Sequence, residues 1–332
     1  MSTINSNIQI IDQFKLLIKQ IKFDIDFSSG KQQLIHTFRL RSIENVLKIL
    51  EKYPKKIINA DQLKNIKGVG DRSLKRINEI LKTGKLSEVK ITEDVSRYLN
   101  IIEKLEDVIG IGRKKAYELF KKYNITSVED LNNKYAKGEI ELAENIVKGL
   151  KYIGKIQDKI PRNEIDQLSE ILTDITFEID PKLFGVVCGS YRRQNMTSGD
   201  IDFIIVNTDS DENINYIQKI VTMLKQKKII IDSLTSDNVK TKYMGICKLD
   251  DNPLRRIDIR YVPYESFYYA ILYFTGSKNF NKKMRSIAID MGYMLNEYGL
   301  YDKNGKSFVV NSEKEIFELL RMEYVTPDKR NE

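Results

Sequence analysis

One stretch of the sequence decides the fold: Gly189-Ser190-Tyr191-Arg192-Arg193-Gln194-Asn195-Met196-Thr197-Ser198-Gly199-Asp200-Ile201-Asp202. The run before it, Phe184 to Cys188, is apolar and favours a strand, which the glycine and serine then end. A second strand is predicted from Ile201 to Val206. Asp200 and Asp202 therefore lie where a strand begins.

The two aspartates face one side of this predicted strand, because alternate strand residues share a face. A buried carboxylate pair is costly unless a positive charge lies between its members. Downstream, Arg255 to Val262 alternates charged and apolar residues as a strand does, and it offers Asp258 as a third carboxylate. Three aspartates on adjacent strands suit two Mg²⁺ ions. For any single aspartate, a solvated strand end is the alternative.

The composition is that of a globular protein. The 332 residues, 41% of them hydrophobic, are enough for two or more domains. The sequence shows no long apolar run and no signal-like N-terminus, so neither membrane insertion nor secretion is expected. Cys188 and Cys247 lie in apolar, strand-like surroundings, which favours buried free thiols over a disulfide and fits a reducing compartment.

The positive charge is concentrated near the N-terminus. The net charge is +8, and residues 1–90 hold 18 lysines and arginines against nine aspartates and glutamates. A solvated lysine-rich face would explain this excess, and so would a surface that faces phosphates. The glycine turns that follow favour the second explanation.

Two amphipathic helices are predicted from about Ile8 to Ile21 and from about Gln32 to Tyr53, and Pro54 ends the second. The segment Asp61–Ile77 then reads as helix, Gly-x-Gly turn, helix. The segment Leu105–Ala116 repeats this pattern. The chain therefore contains an internal duplication of helix-hairpin-helix motifs.

The duplicated motif is typical of proteins that bind a nucleic-acid backbone. Its glycines let the main chain approach a phosphate closely, and the following helix presents free N–H groups and its positive end. Such contacts position DNA without reading its bases. A single Gly-x-Gly turn is explained equally well by helix packing, but two copies followed by lysine and arginine favour DNA binding.

Eight further segments are distinctive. They are Tyr53-Pro54-Lys55-Lys56-Ile57, Gly68-Val69-Gly70, Gly110-Ile111-Gly112, Ile160-Pro161-Arg162, Lys242-Tyr243-Met244-Gly245, Arg256-Ile257-Asp258-Ile259-Arg260, Tyr273-Phe274-Thr275-Gly276-Ser277 and Asn296-Glu297-Tyr298. Together with residues 189–202, in this order and spacing, they closely resemble the X family of DNA polymerases in its polymerase beta form. The resemblance runs nearly end to end.

The resemblance implies an α+β multidomain fold, in which a helical N-terminal domain with helix-hairpin-helix motifs precedes fingers, palm and thumb around a nucleotidyltransferase-type palm. The expected parts are a lyase-like DNA-binding domain at 1–90, a second DNA-binding subdomain at 91–161, the catalytic palm at 162–263 and a nucleotide-binding subdomain at 264–332. The sequence pattern itself changes near Pro161. Helices at Asn163–Ile175 and Asn213–Gln226 are expected to cover the sheet.

By resemblance, Asp200, Asp202 and Asp258 are the catalytic residues and bind two Mg²⁺ ions, with Mn²⁺ as a substitute. One ion activates the primer 3′-hydroxyl, and the other offsets charge on the leaving pyrophosphate. Arg256 resembles the arginine that holds Asp258 away from the metal until nucleotide binds. The two hairpins are expected to bind Na⁺ or K⁺ through their carbonyls. The residues around these ions are Lys64, Ile66 and Val69 in the first hairpin and Glu106, Val108 and Ile111 in the second.

The resemblance also assigns the substrate contacts. Ser190, Arg193 and the backbone of Gly199 contact the β- and γ-phosphates, whereas Arg192 is explained equally well as surface charge. The nucleotide-binding set is Gly189, Ser190, Arg193, Ser198, Gly199, Tyr273, Phe274, Gly276 and Asn281. The DNA-binding set is Arg39, Lys64, Gly68, Gly70, Arg72, Gly110, Gly112, Arg256, Lys282 and Arg285.

Three positions depart from the family. Lys278 stands where an acidic residue lies beside the base in the vertebrate enzyme. Arg76 stands at the position of the Schiff-base lysine of the lyase domain, and Ile43 replaces a tyrosine of the phosphate pocket. An arginine stays protonated and is a poor nucleophile, so lyase activity is doubtful, with Lys75 and Arg76 as its possible residues.

The expected function is template-directed filling of short gaps during base excision repair. The expected partners are gapped or nicked duplex DNA and a dNTP, with no membrane, and a monomer is expected. The expected location is intracellular, in the nucleus or at a viral or cytoplasmic replication site. The alternatives are a template-independent terminal transferase and a non-catalytic helix-hairpin-helix DNA-binding protein.

Overall fold

The structure is a computed structural model, and it describes residues 7–156, 159–209, 214–236 and 238–331. The chain divides into two compact units, Met1–Leu142 and Ala143–Glu332. The predicted change near Pro161 lies inside the second unit, and the four-part division stays a prediction. Across the described ranges, no helix is both long and apolar enough to cross a membrane.

The first unit is helical. Its α-helices are α1 (Ile8–Asp26), α2 (Gly30–Lys52), α3 (Asp71–Thr83), α4 (Glu93–Glu106), α5 (Arg113–Tyr123) and α6 (Val128–Ala136). The apolar stripes of α1 and α2 pack together, with Phe14 and Leu17 buried in one core with Val46 and Leu50. The two predicted amphipathic helices are therefore confirmed, and α2 ends just before Pro54.

The two hairpins differ in their first arm. The second hairpin follows α4, as the pattern predicts. In the first hairpin, the expected helix is only a short 3₁₀ helix, Ala60–Leu63, which Asn59 and Gln62 cap reciprocally. A capped single turn satisfies the local backbone groups without a longer helix. The prediction of a full helix before Gly68 was therefore wrong.

The second unit combines helices and strands. They are α7 (Glu144–Tyr152), β1 (Ile160–Pro161), α8 (Arg162–Ile179), β2 (Leu183–Val187), α9 (Gly189–Arg192), β3 (Thr197–Ser198), β4 (Ile201–Asn207), α10 (Tyr216–Gln226), β5 (Ile230–Ser233), β6 (Lys242–Cys247), β7 (Arg255–Tyr261), α11 (Phe267–Thr275), α12 (Lys278–Asp290), β8 (Met294–Leu295), β9 (Leu300–Tyr301) and α13 (Glu313–Leu319).

A five-stranded sheet organises this unit, with the strand order β2-β4-β7-β6-β5. The β4 and β7 strands are parallel, and the other neighbours are antiparallel. Helices α8 and α10 share one buried core with the sheet. The predicted α+β class is confirmed, and α8 extends past both predicted ends. Helix α10 begins at Tyr216, whereas Asn213, where the prediction began it, lies outside the described residues.

The last part of the chain carries a second core. Helix α11 ends at Thr275, and Gly276 follows with a φ of +70°, a conformation that glycine adopts easily at a helix end. Tyr269 is buried against Phe280 and Phe317. Tyr268 and Phe274 are partly buried against neighbouring apolar side chains.

Candidate active site

The parallel pairing of β4 and β7 brings two of the predicted carboxylates together. Asp202 and Asp258 are register partners on these strands, and Asp200 lies directly before β4. The strand predicted from Ile201 is confirmed as β4. Met244 on β6 is the partner of Asp258 on the other side, so the carboxylates lie in the middle of the sheet.

The site disfavours negative charge. Burial, reinforced by the carboxylates of Asp200 and Asp258, raises the pKa of Asp202 to about 7. Burial also raises the pKa of Asp258, which Arg256 opposes and Asp200 reinforces. The carboxylates repel one another in this buried site, and a bound cation would relieve the repulsion.

The donor set fits a hard divalent ion. Oδ1 of Asp258 is buried and accepts no hydrogen bond from the described residues. Its ion partner is Nη2 of Arg256 at 3.7 Å, and Nε of Arg256 is also buried without a hydrogen bond there. Carboxylate oxygens are the ligands that Mg²⁺ prefers. Within the described ranges, no three His, Cys, Asp or Glu side chains are already gathered around one point.

The loop at Gly189 requires a glycine. Its φ is +58°, and a Cβ there would lie 2.7 Å from Oδ2 of Asp202. The main-chain N–H of Cys188 donates to the carbonyl of Asp202 at 2.7 Å, which fixes the loop against β4. The sequence motif therefore places the main chain of α9 directly over one candidate metal ligand.

The two adjacent arginines have different surroundings. Arg192 donates to Oε2 of Glu313 at 2.5 Å and to Oγ1 of Thr275 at 2.7 Å. Glu313 is buried, so Arg192 is an internal ion pair and not plain surface charge. Arg193 instead donates to neutral oxygens, the carbonyl of Thr275 at 2.6 Å and Oδ1 of Asn331 at 2.7 Å.

The other residues predicted around the triphosphate lie on the same loop. Ser190 is half-buried on α9, and Gly199 is exposed before β4. Ser198 is buried, and its hydroxyl has no hydrogen bond to the described residues. Burial lowers the pKa of Arg193, against a smaller opposing effect of Asp202. The loop thus offers hydrogen-bond donors beside the carboxylates.

The predicted nucleotide residues of α11 and α12 contact one another. Nδ2 of Asn281 donates to the carbonyl of Tyr273 at 2.7 Å, and the Arg285 guanidinium lies 5.0 Å from the Tyr273 ring centre. Arg260 lies 4.7 Å from the ring centre of Phe274. Gly276 adjoins this group, and Lys282 is exposed on α12.

In the first unit, three of the predicted DNA-binding residues, Arg39, Gly70 and Arg72, line one open pocket of about 590 Å³, whereas Lys64 and Gly68 do not line it. Its lining includes Arg39, Arg72 and Arg76. Arg76 forms a two-point ion pair with Glu88, and Nη2 of Arg39 donates to the same carboxylate at 2.6 Å. The pKa of Glu88 is lowered, because these arginines outweigh its burial. The sequence analysis missed Glu88, which nothing local distinguishes from other acidic residues.

Two other positions bear on the lyase question. Ile43 is buried in the core of the first unit, at the edge of this pocket. Lys75 is exposed on α3 and does not line the pocket. The structure thus separates the nearest lysine on α3 from the arginine cluster.

The two hairpins have the same backbone geometry. Gly68 and Gly110 have φ values of +99° and +91°, in the region that glycine adopts easily. Helices α3 and α5 begin after Gly70 and Gly112, neither of which provides a side-chain cap.

The carbonyls predicted to hold a monovalent cation lie in these turns. The carbonyl of Ile66 accepts from the N–H of Val69, and that of Val108 accepts from the N–H of Ile111. Lys64 and Glu106 lie in the arms before the turns. Arg113 at the start of α5, in contrast, pairs with the buried carboxylate of Asp26.

Family models match most of the chain. The polymerase beta palm matches residues 159–264, the polymerase beta thumb matches 270–331, and a helix-hairpin-helix domain matches 6–86. A DNA polymerase lambda of Arabidopsis thaliana is 30% identical over 87% of this chain and 57% of its own length. A DNA polymerase lambda of Rattus norvegicus is 28% identical over 98% of this chain and 56% of its own length.

A DNA nucleotidylexotransferase of Xenopus laevis is 25% identical over 96% of this chain and 67% of its own length. The chain thus spans a little over half the length of the two lambda relatives. The palm and thumb models match the part of the chain that carries the three aspartates and the two arginines. The chain belongs to the X family of DNA polymerases and resembles polymerase beta in its palm and thumb.

Proposed function

We propose that the protein is a template-directed DNA polymerase that fills short gaps in duplex DNA, as base excision repair requires. The observation that carries the proposal is the placement of Asp202 opposite Asp258 on parallel strands, with Asp200 directly before one of them. This arrangement gathers carboxylates that repel one another in a buried setting. The family membership supports the same reaction.

In this proposal, Asp200, Asp202 and Asp258 hold two Mg²⁺ ions, which when bound activate the primer hydroxyl and offset charge on the leaving pyrophosphate. Asp258 is the carboxylate nearest the attacking oxygen. Its partner Arg256 restrains it until nucleotide arrives. Ser190, Arg193 and the loop to Gly199 bind the β- and γ-phosphates of the dNTP.

The remaining roles follow the same assignment. Tyr273 and Gly276 crowd the ribose 2′ position, and Asn281 reaches the incoming base after leaving the carbonyl of Tyr273. The uncapped starts of α3 and α5 bind the DNA backbone, because free helix amides attract phosphates. Na⁺ or K⁺ at the hairpin carbonyls would complete these contacts.

The test is primer extension on a gapped duplex with Mg²⁺ and each dNTP in turn. Incorporation opposite the matching template base, and much less of the other three, is expected. The same assay on a single-stranded primer without a template tests for the rival reaction, template-independent addition. Template-independent addition would favour a nucleotidylexotransferase, the activity named for the Xenopus laevis relative. No addition under either condition would leave a non-catalytic DNA-binding protein.

We also propose that sugar-phosphate lyase activity is absent or strongly reduced. Schiff-base chemistry needs a neutral amine, and the guanidinium of Arg76 is both charged and paired with Glu88. The pocket that holds Arg39, Arg72 and Arg76 is better suited to bind a 5′-phosphate than to attack a sugar.

A further inference from the structure

Asn331 contacts Arg193 at two points, one on the side chain and one on the main-chain carbonyl. Its Oδ1 accepts from Nε of Arg193 at 2.7 Å, and its Nδ2 lies 3.5 Å from the carbonyl of the same residue. Nη1 of Arg193 donates to the carbonyl of Thr275 at 2.6 Å. Neutral oxygens therefore fix two edges of the guanidinium.

The charge of Arg193 remains available. Its neighbour Arg192 is neutralised by Glu313, whereas Arg193 forms no ion pair with any residue in the described ranges. Its Nη2 also has no hydrogen bond within those ranges. A fixed guanidinium with a free edge and no ion-pair partner in the described ranges is suited to bind an anion.

Arg330, the residue before Asn331, is held in place by several hydrogen bonds. Arg330 is fully buried, with Nη1 donating to Glu313 at 2.7 Å and Nε to the carbonyl of Val325 at 2.8 Å. Its carbonyl accepts from the N–H of Ser277 at 3.2 Å. Glu313 thus joins Arg192 and Arg330, which fixes the segment that carries Asn331 beside Arg193.

We propose that Asn331 is a positioning residue of the nucleotide site, which orients Arg193 so that its free edge meets the triphosphate. The inference rests on the proposed role of Arg193. A neutral amide suits this position, because a carboxylate in its place would accept the same hydrogen bond and neutralise the charge that the triphosphate needs.

The test compares Asn331→Ala and Asn331→Asp with Asn304→Ala, a control at an exposed asparagine of the same unit. Calorimetry measures dNTP binding to the enzyme on a gapped duplex with a dideoxy primer and Mg²⁺, and primer extension gives KM and kcat. We expect Asn331→Ala to weaken dNTP binding about tenfold, the scale of a lost hydrogen bond to a charged group. Asn331→Asp is expected to weaken it further.

The values of kcat, the KM for gapped DNA and the melting temperature should stay near wild type in both variants. Wild-type dNTP affinity in Asn331→Ala, or rescue by Asn331→Asp, overturns the inference. A lower melting temperature of Asn331→Ala also overturns it, because Nδ2 of Asn331 donates to the carbonyl of Asp328 at 3.1 Å, a purely structural contact. If wild type binds dNTP, the variants bind it weakly and none extends a primer, the polymerase proposal fails while the role of Asn331 stands. Absence of dNTP binding by wild type overturns both.

Discussion

At the scale of single residues, the site brings together negatively charged side chains that repel one another. Asp202 and Asp258 lie opposite each other, and burial raises the pKa of both. In the unfolded chain, each carboxylate is hydrated and lies far from the others. Ionisation of Asp202 therefore costs folding free energy when no cation is bound.

Asp202→Asn should stabilise the metal-free protein at pH 8. The folded pKa of Asp202, about 7, lies above its unfolded value, so stability is lost as pH rises between the two and stays low above pH 7. The expected gain at pH 8 is on the order of 2 to 4 kcal/mol, fading towards pH 4. Urea unfolding in EDTA measures it, with exposed Asp251→Asn as control. Equal stabilities of wild type and Asp202→Asn at pH 8 would contradict this account.

Gly189→Ala should impair both stability and nucleotide addition. Its left-handed φ and the 2.7 Å approach of Asp202 leave no room for a Cβ. Gly154→Ala is the matched control, because Gly154 has a φ of +71° but open space around it. We expect each to lose about 1 kcal/mol from the backbone, and Gly189→Ala alone to lose more than about tenfold in extension rate. Similar rates for the two variants would refute the steric argument.

Arg76→Lys should raise Schiff-base trapping. Borohydride trapping on a 5′-deoxyribose-phosphate substrate is expected to give little cross-linking with wild type, because Arg76 stays protonated. A lysine there supplies an amine beside Arg39 and Arg72 in the same pocket. Efficient cross-linking by wild type would show that another residue acts, and its loss in Lys75→Ala would identify that residue.

At the scale of elements, the sequence predicted what local patterns determine. Strands β2, β4 and β7 follow from apolar runs and alternation, and their order brings Asp202 to Asp258. Strand β5 is a four-residue strand with a register shift against β6, and no period marks it in the sequence. In the first hairpin, a short 3₁₀ helix stands where a helix was predicted, because Asn59 and Gln62 cap a single turn.

The side-chain partners of the site could not be predicted. Glu88 pairs with Arg39 across the first unit, and Asn331 reaches Arg193 from the far end of the second. Such pairings depend on how helices pack, and any of the acidic or amide residues in the chain satisfies the same chemistry. The aspartates were predictable because all three lie on or beside predicted strands, where buried carboxylates require a positively charged partner.

The pocket on α2 and α3 should make binding sensitive to a 5′-phosphate. Arg39, Arg72 and Arg76 line it, and Glu88 offsets part of their charge. A gapped duplex with a 5′-phosphate should bind more tightly than one without, and Arg72→Ala should remove most of the difference. Each lost phosphate contact should lower the salt slope of log K by roughly 0.9 in duplex regions. Equal affinity for both gaps at low and high salt would count against the pocket, and Lys82→Ala, at an exposed position near the end of α3, serves as control.

At the scale of the whole molecule, the two hairpins assigned to the DNA backbone and the carboxylates assigned to chemistry lie in separate compact units. Both hairpins lie in Met1–Leu142, and the carboxylates lie in Ala143–Glu332. A change confined to the carboxylates should therefore spare most of the affinity for DNA.

Asp258→Ala should abolish nucleotide addition with little change in the Kd for gapped DNA. Removal of one metal ligand costs several kcal/mol of transition-state stabilisation, a loss of roughly a thousandfold or more in rate. Single-turnover extension and a binding titration on the same duplex measure the two effects. Asp251→Asn is the matched control, and extension by Asp258→Ala at the wild-type rate would refute the metal assignment.

The parallel pairing of β4 and β7 also bears on how the protein folds. Helix α10 and strands β5 and β6 all lie in the sequence between the two paired strands, so Asp202 meets Asp258 only after a long loop has closed. Pairings of this kind form slowly, because the entropy of loop closure is lost before the contact is gained. A palm in which β4 and β7 have not yet paired therefore contains all the residues of the site but not their assembled arrangement. On the proposed metal assignment, Mg²⁺ affinity should therefore appear during refolding only when β4 and β7 have paired, which stopped-flow refolding with a metal-binding readout would measure.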